Sequence, residues 1–486
     1  MGGLAIRDEG GIAKSLWKKS RNESIFAIYT PYILSLASGK LDSASFLHCI
    51  SQDLRFLQAS AEAFEMAEEC SDDDDDKAVI RKVRKRVLKK MAMFRLIVQE
   101  WGFELPAGNI SDRAMVKCTD FLLATASGKA VGERFPVCLT GEELQFVENI
   151  YQKAMKLQVE FFSAQPIIQN TIVPLYRAHG SDEHNFVIFS GFDMTCSAVD
   201  SCALLADIAI IKSSKAIKLN GYESLDDGAS SDDLRDIWSS LHGQYVEEYE
   251  QCIDSIMLSD RVTQFNFESL CNALGQLSEL EKAANLRVAN SGVLKGLHMD
   301  EIKWAGEHLV FQDGCLEFFR EIEKSKDIAI DVHILSYCWS GDLIRSAFRS
   351  ASGFPNVHSN ELLFDESIST GEILKRVQNP TEKLQTFNEI CKMSSNNGRN
   401  LSVYIGGSVE DLLCLLKADI GVVISPSANL TRLAGLFGFS FVPLFSGLVK
   451  KQRELIEGGC PCWSGLSGTL YTVSSWAEIH AFILGT

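Results

Sequence analysis

Phe189-Ser190-Gly191-Phe192-Asp193-Met194-Thr195 closes a short β-rich apolar run that begins at Phe186, in a turn that carries an acidic residue. A second stretch, Val403-Tyr404-Ile405-Gly406-Gly407-Ser408-Val409-Glu410-Asp411, closes another apolar run in the same way. Runs of this kind occupy residues 186–189, 328–335, 401–405, 420–424 and 439–444, with helical patterns between them. Strands alternating with helices predict an α/β fold built on a doubly wound parallel sheet. One interruption stands out: residues 230–324 read as helices, 234–257 and 267–289 among them, and suit a cap inserted after the first strand. In open α/β sheets ligands bind beyond the carboxyl ends of the strands. The residues to inspect are therefore those just after each run.

Four such places follow in order: Gly191 to Thr195, then Leu335-Ser336-Tyr337-Cys338-Trp339, then Lys383, then Gly406 to Asp411. Together they resemble the four motifs of the haloacid-dehalogenase-like phosphatases, whose signature loops read Asp-x-Asp-x-Thr and Gly-Asp-x-x-x-Asp. Val357-His358-Ser359-Asn360-Glu361 and Ser369-Thr370-Gly371-Glu372-Ile373 resemble the segment this family places between its second and third motifs. The resemblance implies that Asp193 is the general acid and base, that Ser336 holds a phosphoryl oxygen, that Lys383 neutralises the nucleophile and phosphate, and that Asp411 helps hold Mg2+. The chemistry asks for two carboxylates one residue apart, one to attack phosphorus and one to protonate the leaving alkoxide. Magnesium would bridge carboxylate and phosphoryl oxygens in an oxygen-only shell. Gly191 and Gly407 stand where the family carries aspartates. A glycine cannot form an acyl-phosphate, and losing a covalent nucleophile costs several orders of magnitude in rate. Each glycine taken alone is also what a strand-end turn tolerates, and Ser336 or Lys383 taken alone reads as a core serine or a surface lysine.

The first half has another pattern. From Ile12 to about Phe162 the apolar residues recur at helical spacing, which predicts an all-α half. In its last helix Thr140 is the expected cap, and Leu144, Val147, Ile150, Ala154, Leu157 and Phe161 form the expected buried stripe. Asp72 to Asp76 are expected to form a solvated connection before a basic helix over residues 77–101, whose Arg81, Lys82, Arg84, Lys85, Arg86, Lys89 and Lys90 coat an exposed face or bind phosphate. Tyr32 to Leu41, Phe46, and Ile50-Ser51-Gln52-Asp53-Leu54-Arg55-Phe56-Leu57 resemble the opening helices of the TenA or thiaminase-II family. That resemblance implies that Asp53 binds an aminopyrimidine ring and that Phe56 packs on it. Asp53 reads equally as one partner of a salt bridge to a neighbouring basic side chain. Thr119-Asp120-Phe121-Leu122-Leu123 continues the resemblance, while Cys118 and Gln158 replace the tyrosine and glutamate expected there, with Glu160 a turn-face away. The loop from Ser127 to Gly141 enters the last helix directly, which predicts a partial bundle with uncovered apolar faces.

Composition limits the function classes. Of 486 residues 46% are hydrophobic and 23% charged, as in ordinary globular chains. Sixty-four acidic against forty-seven basic residues give a net charge of -17, which repels nucleic acid and anionic lipid. No apolar run is long enough to span a bilayer. The first residues, Met1-Gly2-Gly3-Leu4-Ala5-Ile6, carry no secretory apolar core, so a cytoplasmic chain is expected. Fourteen cysteines lie scattered in apolar segments, as at Cys49, Cys202, Cys271 and Cys414, and read as reduced core residues. Cys460-Pro461-Cys462 alone approaches a metal or redox spacing.

Taken together, the expected organisation is a TenA-like helical domain over 1–165, lacking internal helices, and a haloacid-dehalogenase-like domain over 166–486 with a helical cap at about 200–325. This pairing resembles the plant family of bifunctional thiamin-salvage proteins. The resemblance implies hydrolysis of a thiamin monophosphate ester by the second half and of an aminopyrimidine by the first, with small-molecule ligands, no nucleic acid or membrane partner, and self-association through the helical domain. The glycines at 191 and 407 and the shortened first half predict impaired catalysis. The alternative is a non-catalytic protein that binds thiamin phosphate or an aminopyrimidine.

Overall fold

The computed structural model describes residues 11–102, 112–127, 141–179, 186–219, 231–259, 261, 264–324, 330–351, 355–394, 401–459 and 463–485. The chain divides into two compact units, one formed by Met1–Ala178, Leu448–Pro461 and His480–Thr486, the other by His179–Gly447 and Cys462–Ile479. The expected cap Thr140, most of the loop from Ser127 to Gly141, and Cys460-Pro461-Cys462 lie outside the described residues.

The first unit is helical. Its elements are α1 (Gly11–Lys19), α2 (Arg21–Ile28), α3 (Pro31–Ala37), α4 (Ser43–Cys70), α5 (Asp74–Glu100), α6 (Arg113–Ala126), α7 (Gly141–Ser163) and the short α8 (Leu175–His179). Asp42 caps α4 by accepting from the Ser45 amide at 2.8 Å. Asp73 does the same for α5, accepting from the amides of Asp75 and Asp76 at 2.8 and 3.0 Å. That cap corrects the expected start at Lys77: three aspartates complement the positive end of the helix and are wound into its first turn. Arg81 and Arg84 reach back to Glu68 and Glu65 of α4 at 2.7 and 2.5 Å, so part of the basic face ties the hairpin together. A small core gathers Tyr32, Cys49, Met115, Cys118, Leu157 and Phe161. In α7 the buried set is Met155, Leu157 and Phe161, and the expected Ala154 is exposed instead. Leu157 and Phe161 of the expected stripe are buried, Leu144, Val147 and Ile150 are half-buried, and Met155 takes the place expected of Ala154. The fully buried Gln452, in the segment Leu448–Pro461 of this unit, holds the stretch that follows α7, its Oε1 accepting from the Ile172 amide and its Nε2 donating to the Asn170 carbonyl, both at 2.9 Å.

The second unit is built on a seven-stranded sheet in which every pairing is parallel. Its strands are β1 (Phe186–Ser190), β2 (Ile330–Leu335), β3 (Asn356–His358), β6 (Leu401–Gly406), β7 (Ile420–Ile424), β8 (Ser440–Pro443) and β9 (Thr469–Val473). A separate antiparallel hairpin is formed by β4 (Glu361–Asp365) and β5 (Ile368–Leu374). The chain is therefore all-α in one part and α/β in the other. The sheet order is β3-β2-β1-β6-β7-β9-β8, so the winding reverses between β1 and β6. Loops at that reversal diverge and leave a crevice at the strand ends. Every residue of β1, β6 and β7 is buried, as expected of strands covered on both faces.

Helices α9 (Ser201–Leu219), α10 (Ser231–Met257), α11 (Phe267–Ser291), α12 (Met299–Glu307) and α13 (Cys315–Lys324) separate β1 from β2 in sequence. The remaining helices are α14 (Gly341–Ala347), α15 (Pro380–Ser394), α16 (Leu412–Lys417), α17 (Ala428–Phe437), α18 (Leu444–Ile456) and α19 (Trp476–Ile483). Strands β3, β4, β5 and β9 have no counterpart among the runs read from sequence. The run at 439–444 is shorter than expected, with Phe439 buried ahead of β8 rather than within it.

Candidate active site

Parallel pairing of β1 with β2 and β6 delivers the loops after these strands to one end of the sheet. Beyond β1 the Gly191 amide donates to the Ile405 carbonyl at 2.9 Å, and the Cys196 amide folds back onto the Phe192 carbonyl at 2.9 Å. Met194 takes a left-handed conformation, φ 55°, which turns the loop sharply just after Asp193. One Asp193 oxygen accepts from the Ser201 amide at 2.7 Å. The other accepts from the Ser336 hydroxyl at 3.3 Å. Burial, reinforced by the charge of Asp200, raises the Asp193 carboxyl to about 6. A carboxyl poised there carries a proton part of the time near neutrality, the condition a general acid needs.

Ser336 follows β2 directly. Its amide donates to the His358 carbonyl at 3.0 Å, and its hydroxyl also accepts from the Cys338 amide at 3.0 Å. Lys383 lies in the first turn of α15, with Asn379 receiving its amide at 3.0 Å. Its ammonium reaches Asp411 at 2.9 Å, and both side chains are only 3% exposed. The same ammonium lies 4.6 Å from the centre of the Tyr337 ring. Burial alone would raise the Asp411 carboxyl, but Lys383 and the hydrogen bonds it accepts hold it below its ordinary value. Burial likewise opposes the charge on Lys383, and Asp411 outweighs it and keeps the lysine protonated. The pair is ionised, enclosed and mutually dependent.

The sequence-derived residues thus fall into two touching pairs, Asp193 with Ser336 and Lys383 with Asp411. Gly191 and Gly407 flank the second pair. A Cβ added at Gly191 would lie 2.9 Å from Asp411 Oδ1. One added at Gly407 would lie 2.5 Å from the Ile424 carbonyl oxygen. The space where a side chain at position 191 would begin is held by the carboxylate of Asp411.

That carboxylate also bears on magnesium. Asp411 Oδ1 accepts from Lys383 and from the Tyr404 hydroxyl at 2.8 Å. Its Oδ2 accepts from the Gly407 and Ser408 amides at 3.2 and 3.4 Å and from the Ser408 hydroxyl at 3.1 Å. Five donors, one of them the Lys383 ammonium, leave it no lone pair for a hard cation, which wants several oxygens. Among the described residues no group of three or more His, Cys, Asp or Glu side chains is placed to hold a metal ion. The donor set of this chain does not fit the Mg2+ that its resemblance implies.

In the helical unit, Asp53 and Phe56 both lie on α4. Burial raises the Asp53 carboxyl, opposed by the charge of Lys90. Lys90 acts through space without forming a close ion pair, so the salt-bridge reading of Asp53 lacks a contact among the described residues. Phe56 is 38% exposed. Glu160 is exposed and bonded to Lys117, and Cys118 is buried with its thiol toward the Leu157 carbonyl at 3.6 Å.

One relative decides the family. The "Bifunctional TH2 protein, mitochondrial" of Arabidopsis thaliana is 43% identical over 557 residues, spanning 98% of this chain and 90% of that protein. The chain belongs to the bifunctional TH2 family. The matched length exceeds the 486 residues present, so the TH2 relative carries segments with no counterpart here. A CTO1 family protein of Schizosaccharomyces pombe is 24% identical over 259 residues, 51% of this chain and 89% of that protein. Similarity to solved structures is remote. A phosphoserine phosphatase in a phospho-aspartyl intermediate analogue form covers 52% of this TH2-family chain and 91% of its own, at 15% identity and a TM-score of 0.32. A TenA homologue from Pyrococcus furiosus covers 31% of this chain and 98% of its own, at 14% identity and a TM-score of 0.26. No family model matches the chain.

The TH2-family chain also holds side chains that sequence reading missed. A cavity of about 150 Å³ opens beside Asp193 beneath α10 and α11. Trp238, Tyr245, Glu281, Trp339 and Glu410 line it. Glu410 and Trp339 were within reach of sequence, since they lie inside the quoted loops after β6 and β2. Trp238, Tyr245 and Glu281 sit in helices α10 and α11 with no motif spacing to mark them.

Proposed function

We propose that this chain is a thiamin-salvage protein whose second half, residues 166–486 with a cap at about 200–325, binds a thiamin phosphate ester. In this reading Asp193 is the acid that serves the leaving oxygen, Ser336 holds a phosphoryl oxygen, and Lys383 supplies the positive charge. The observation that carries it is the meeting of those side chains at the winding reversal of the sheet, in a chain of the TH2 family. The nucleophile is what the chain lacks. With Gly191 in place and Asp411 against it, position 191 supplies no carboxylate to attack phosphorus, and among the described residues no step through magnesium follows from the donors present. Catalysis is therefore impaired, and the closest competing reading is a protein that binds the ester without turning it over.

Phosphate release from thiamin monophosphate, with magnesium supplied, tests this. The unchanged chain is expected to release phosphate negligibly, and brisk release would overturn the reading. Gly191→Asp together with Gly407→Asp is expected to restore turnover. Gly191→Asp requires only the end of the Asp411 side chain to swing away, while Gly407→Asp requires the main chain at Ile424 to give. Calorimetric binding of the ester without turnover favours the binding protein.

For residues 1–165 we propose an aminopyrimidine site on α4, with Asp53 as the acceptor for ring amino groups and Phe56 as the ring platform. The raised Asp53 carboxyl supports it, because a carboxyl without a close cation is completed by ligand donors. Loss of aminopyrimidine binding in Asp53→Asn is expected. Self-association through the helical unit is proposed on the exposed apolar residues of α5, and light scattering of the purified chain checks it. No helix among the described residues is long and apolar enough to cross a membrane. In place of the cytoplasmic location expected from the sequence, a mitochondrial one is proposed, the compartment named for the Arabidopsis relative, and recovery in the cytosolic fraction alone would overturn it.

A further inference from the structure

The cavity beneath α10 and α11 has a chemical character of its own. Four carboxylates border it, Asp193, Asp200, Glu281 and Glu410, against one guanidinium, Arg287. That guanidinium is engaged with Glu248 at 2.5 Å. The walls are aromatic. Trp238 meets Trp339 edge to face, with ring centres 6.1 Å apart and planes at 90°. Trp339 and Tyr245 are tied to α11: Trp339 Nε1 donates to Asn285 Oδ1 at 2.8 Å, and the Tyr245 hydroxyl donates to Glu281 at 2.8 Å. Asn285 and Glu281 are both buried in the middle of α11, where polar side chains are costly unless they serve such contacts.

We propose that this cavity is the subsite for a flat organic cation, with Trp238 and Trp339 as its ring walls and Glu281 and Glu410 as its counter-charge. The physical basis is that an aromatic face attracts a cation, most strongly where water is excluded, and that carboxylates close by balance the charge a dry pocket could not otherwise accept. The same lining offers a free anion no cation beyond the engaged Arg287, so the phosphoryl group of an ester is directed toward Lys383 and the charged ring toward the cap. This rests on the reading that an ester is bound at Asp193 and Lys383, and adds which part of the ligand the cap recognises. Trp238, Tyr245 and Glu281 are specificity residues in this account and touch no reacting atom.

The test uses the full chain and two probes without phosphate, an N-methylated thiazolium and the neutral thiazole bearing the same ring substituents, each titrated calorimetrically. The thiazolium is expected to bind about tenfold tighter or more, the scale of a desolvated cation against an aromatic face. Trp238→Ala and Glu281→Gln are each expected to lower thiazolium affinity about fivefold or more while leaving the weak binding of the neutral ring unchanged. Glu281→Gln keeps the shape of the side chain, so its result stands even if Trp238→Ala disturbs the fold. Equal binding of the two probes, or thiazolium affinity unmoved in Glu281→Gln, overturns the proposal. A third titration separates it from the reading beneath it. Thiamin monophosphate binding no tighter than thiamin would remove the phosphate site and leave the cation subsite standing. Ester binding that ignores ring charge would do the reverse.

Discussion

Helix α16 and helix α5 show how differently the two units are held. All of Leu412, Leu413, Cys414, Leu415 and Leu416 in α16 are buried, whereas in the 27 residues of α5 Val98 alone is buried among the described side chains. The first sits in the crossover between β6 and β7 and has apolar neighbours on every side. The second leaves Val79, Met93, Leu96 and Trp101 about half exposed or more, and much of its attachment to α4 runs through exposed ion pairs. Such pairs contribute about 0–1 kcal/mol each. Burial of a leucine contributes about 1.5–3 kcal/mol. The sheet unit therefore carries its own stability, and the helical unit depends on surfaces it has not covered.

That contrast can be broken most sharply at the enclosed ion pair. Lys383→Met leaves Asp411 charged and unpaired in the interior, and is expected to cost about 3–5 kcal/mol in urea unfolding. A loss below about 1 kcal/mol would show that water reaches the pair. Leu415→Ala comes next, at about 2–5 kcal/mol for the cavity it opens.

Within the sheet unit, Glu281 is a buried carboxyl on α11. Burial raises its carboxyl to about 7 in the folded chain against an ordinary value near 4.5. The folded state holds that proton longer than the unfolded state does. The stability it lends is therefore complete below about pH 4.5 and is lost as pH rises through 7. Glu281→Gln removes the loss, and is expected to stabilise the unliganded protein at pH 8 by about 1–3 kcal/mol while leaving it unimproved at pH 4. A stability gain independent of pH would refute the assignment. The smallest effect belongs to α5, where Leu96→Ala is expected to change stability by no more than about 0.5 kcal/mol. A cost of several kcal/mol there would mean that the exposed face is covered in solution.

The sequence disclosed the sheet where its strands are buried on both faces, because β1, β6 and β7 are continuous apolar runs ending in loops with recognisable chemistry. It concealed β5 for a physical reason. The inward positions of that strand are Ser369, Gly371 and Ile373, while the apolar Ile368 and Leu374 face outward and are about half exposed. Alternation exists in the burial and not in the hydrophobicity. Strand β3, with three residues, is too short for any periodic signal. Within the candidate site, the residues on strand-end loops were legible because order along the chain fixes which motif follows which strand. Trp238, Tyr245 and Glu281 were not, since they become neighbours only when α10 and α11 pack side by side. The surroundings of the glycines were half legible: the missing carboxylates could be read, but not that the carboxylate of Asp411 lies where a side chain at position 191 would begin.

Gln452 has a practical bearing on how this gene could be divided. One amide in the C-terminal third grips the main chain at both Asn170 and Ile172, so the stretch before β1 is fastened to a residue nearly three hundred positions later. A severed C-terminal half that begins at β1 would leave that amide with a donor and an acceptor facing nothing. A cut made ahead of Asn170 spares it, and the earlier half can then be discarded without unfastening the later one at this point.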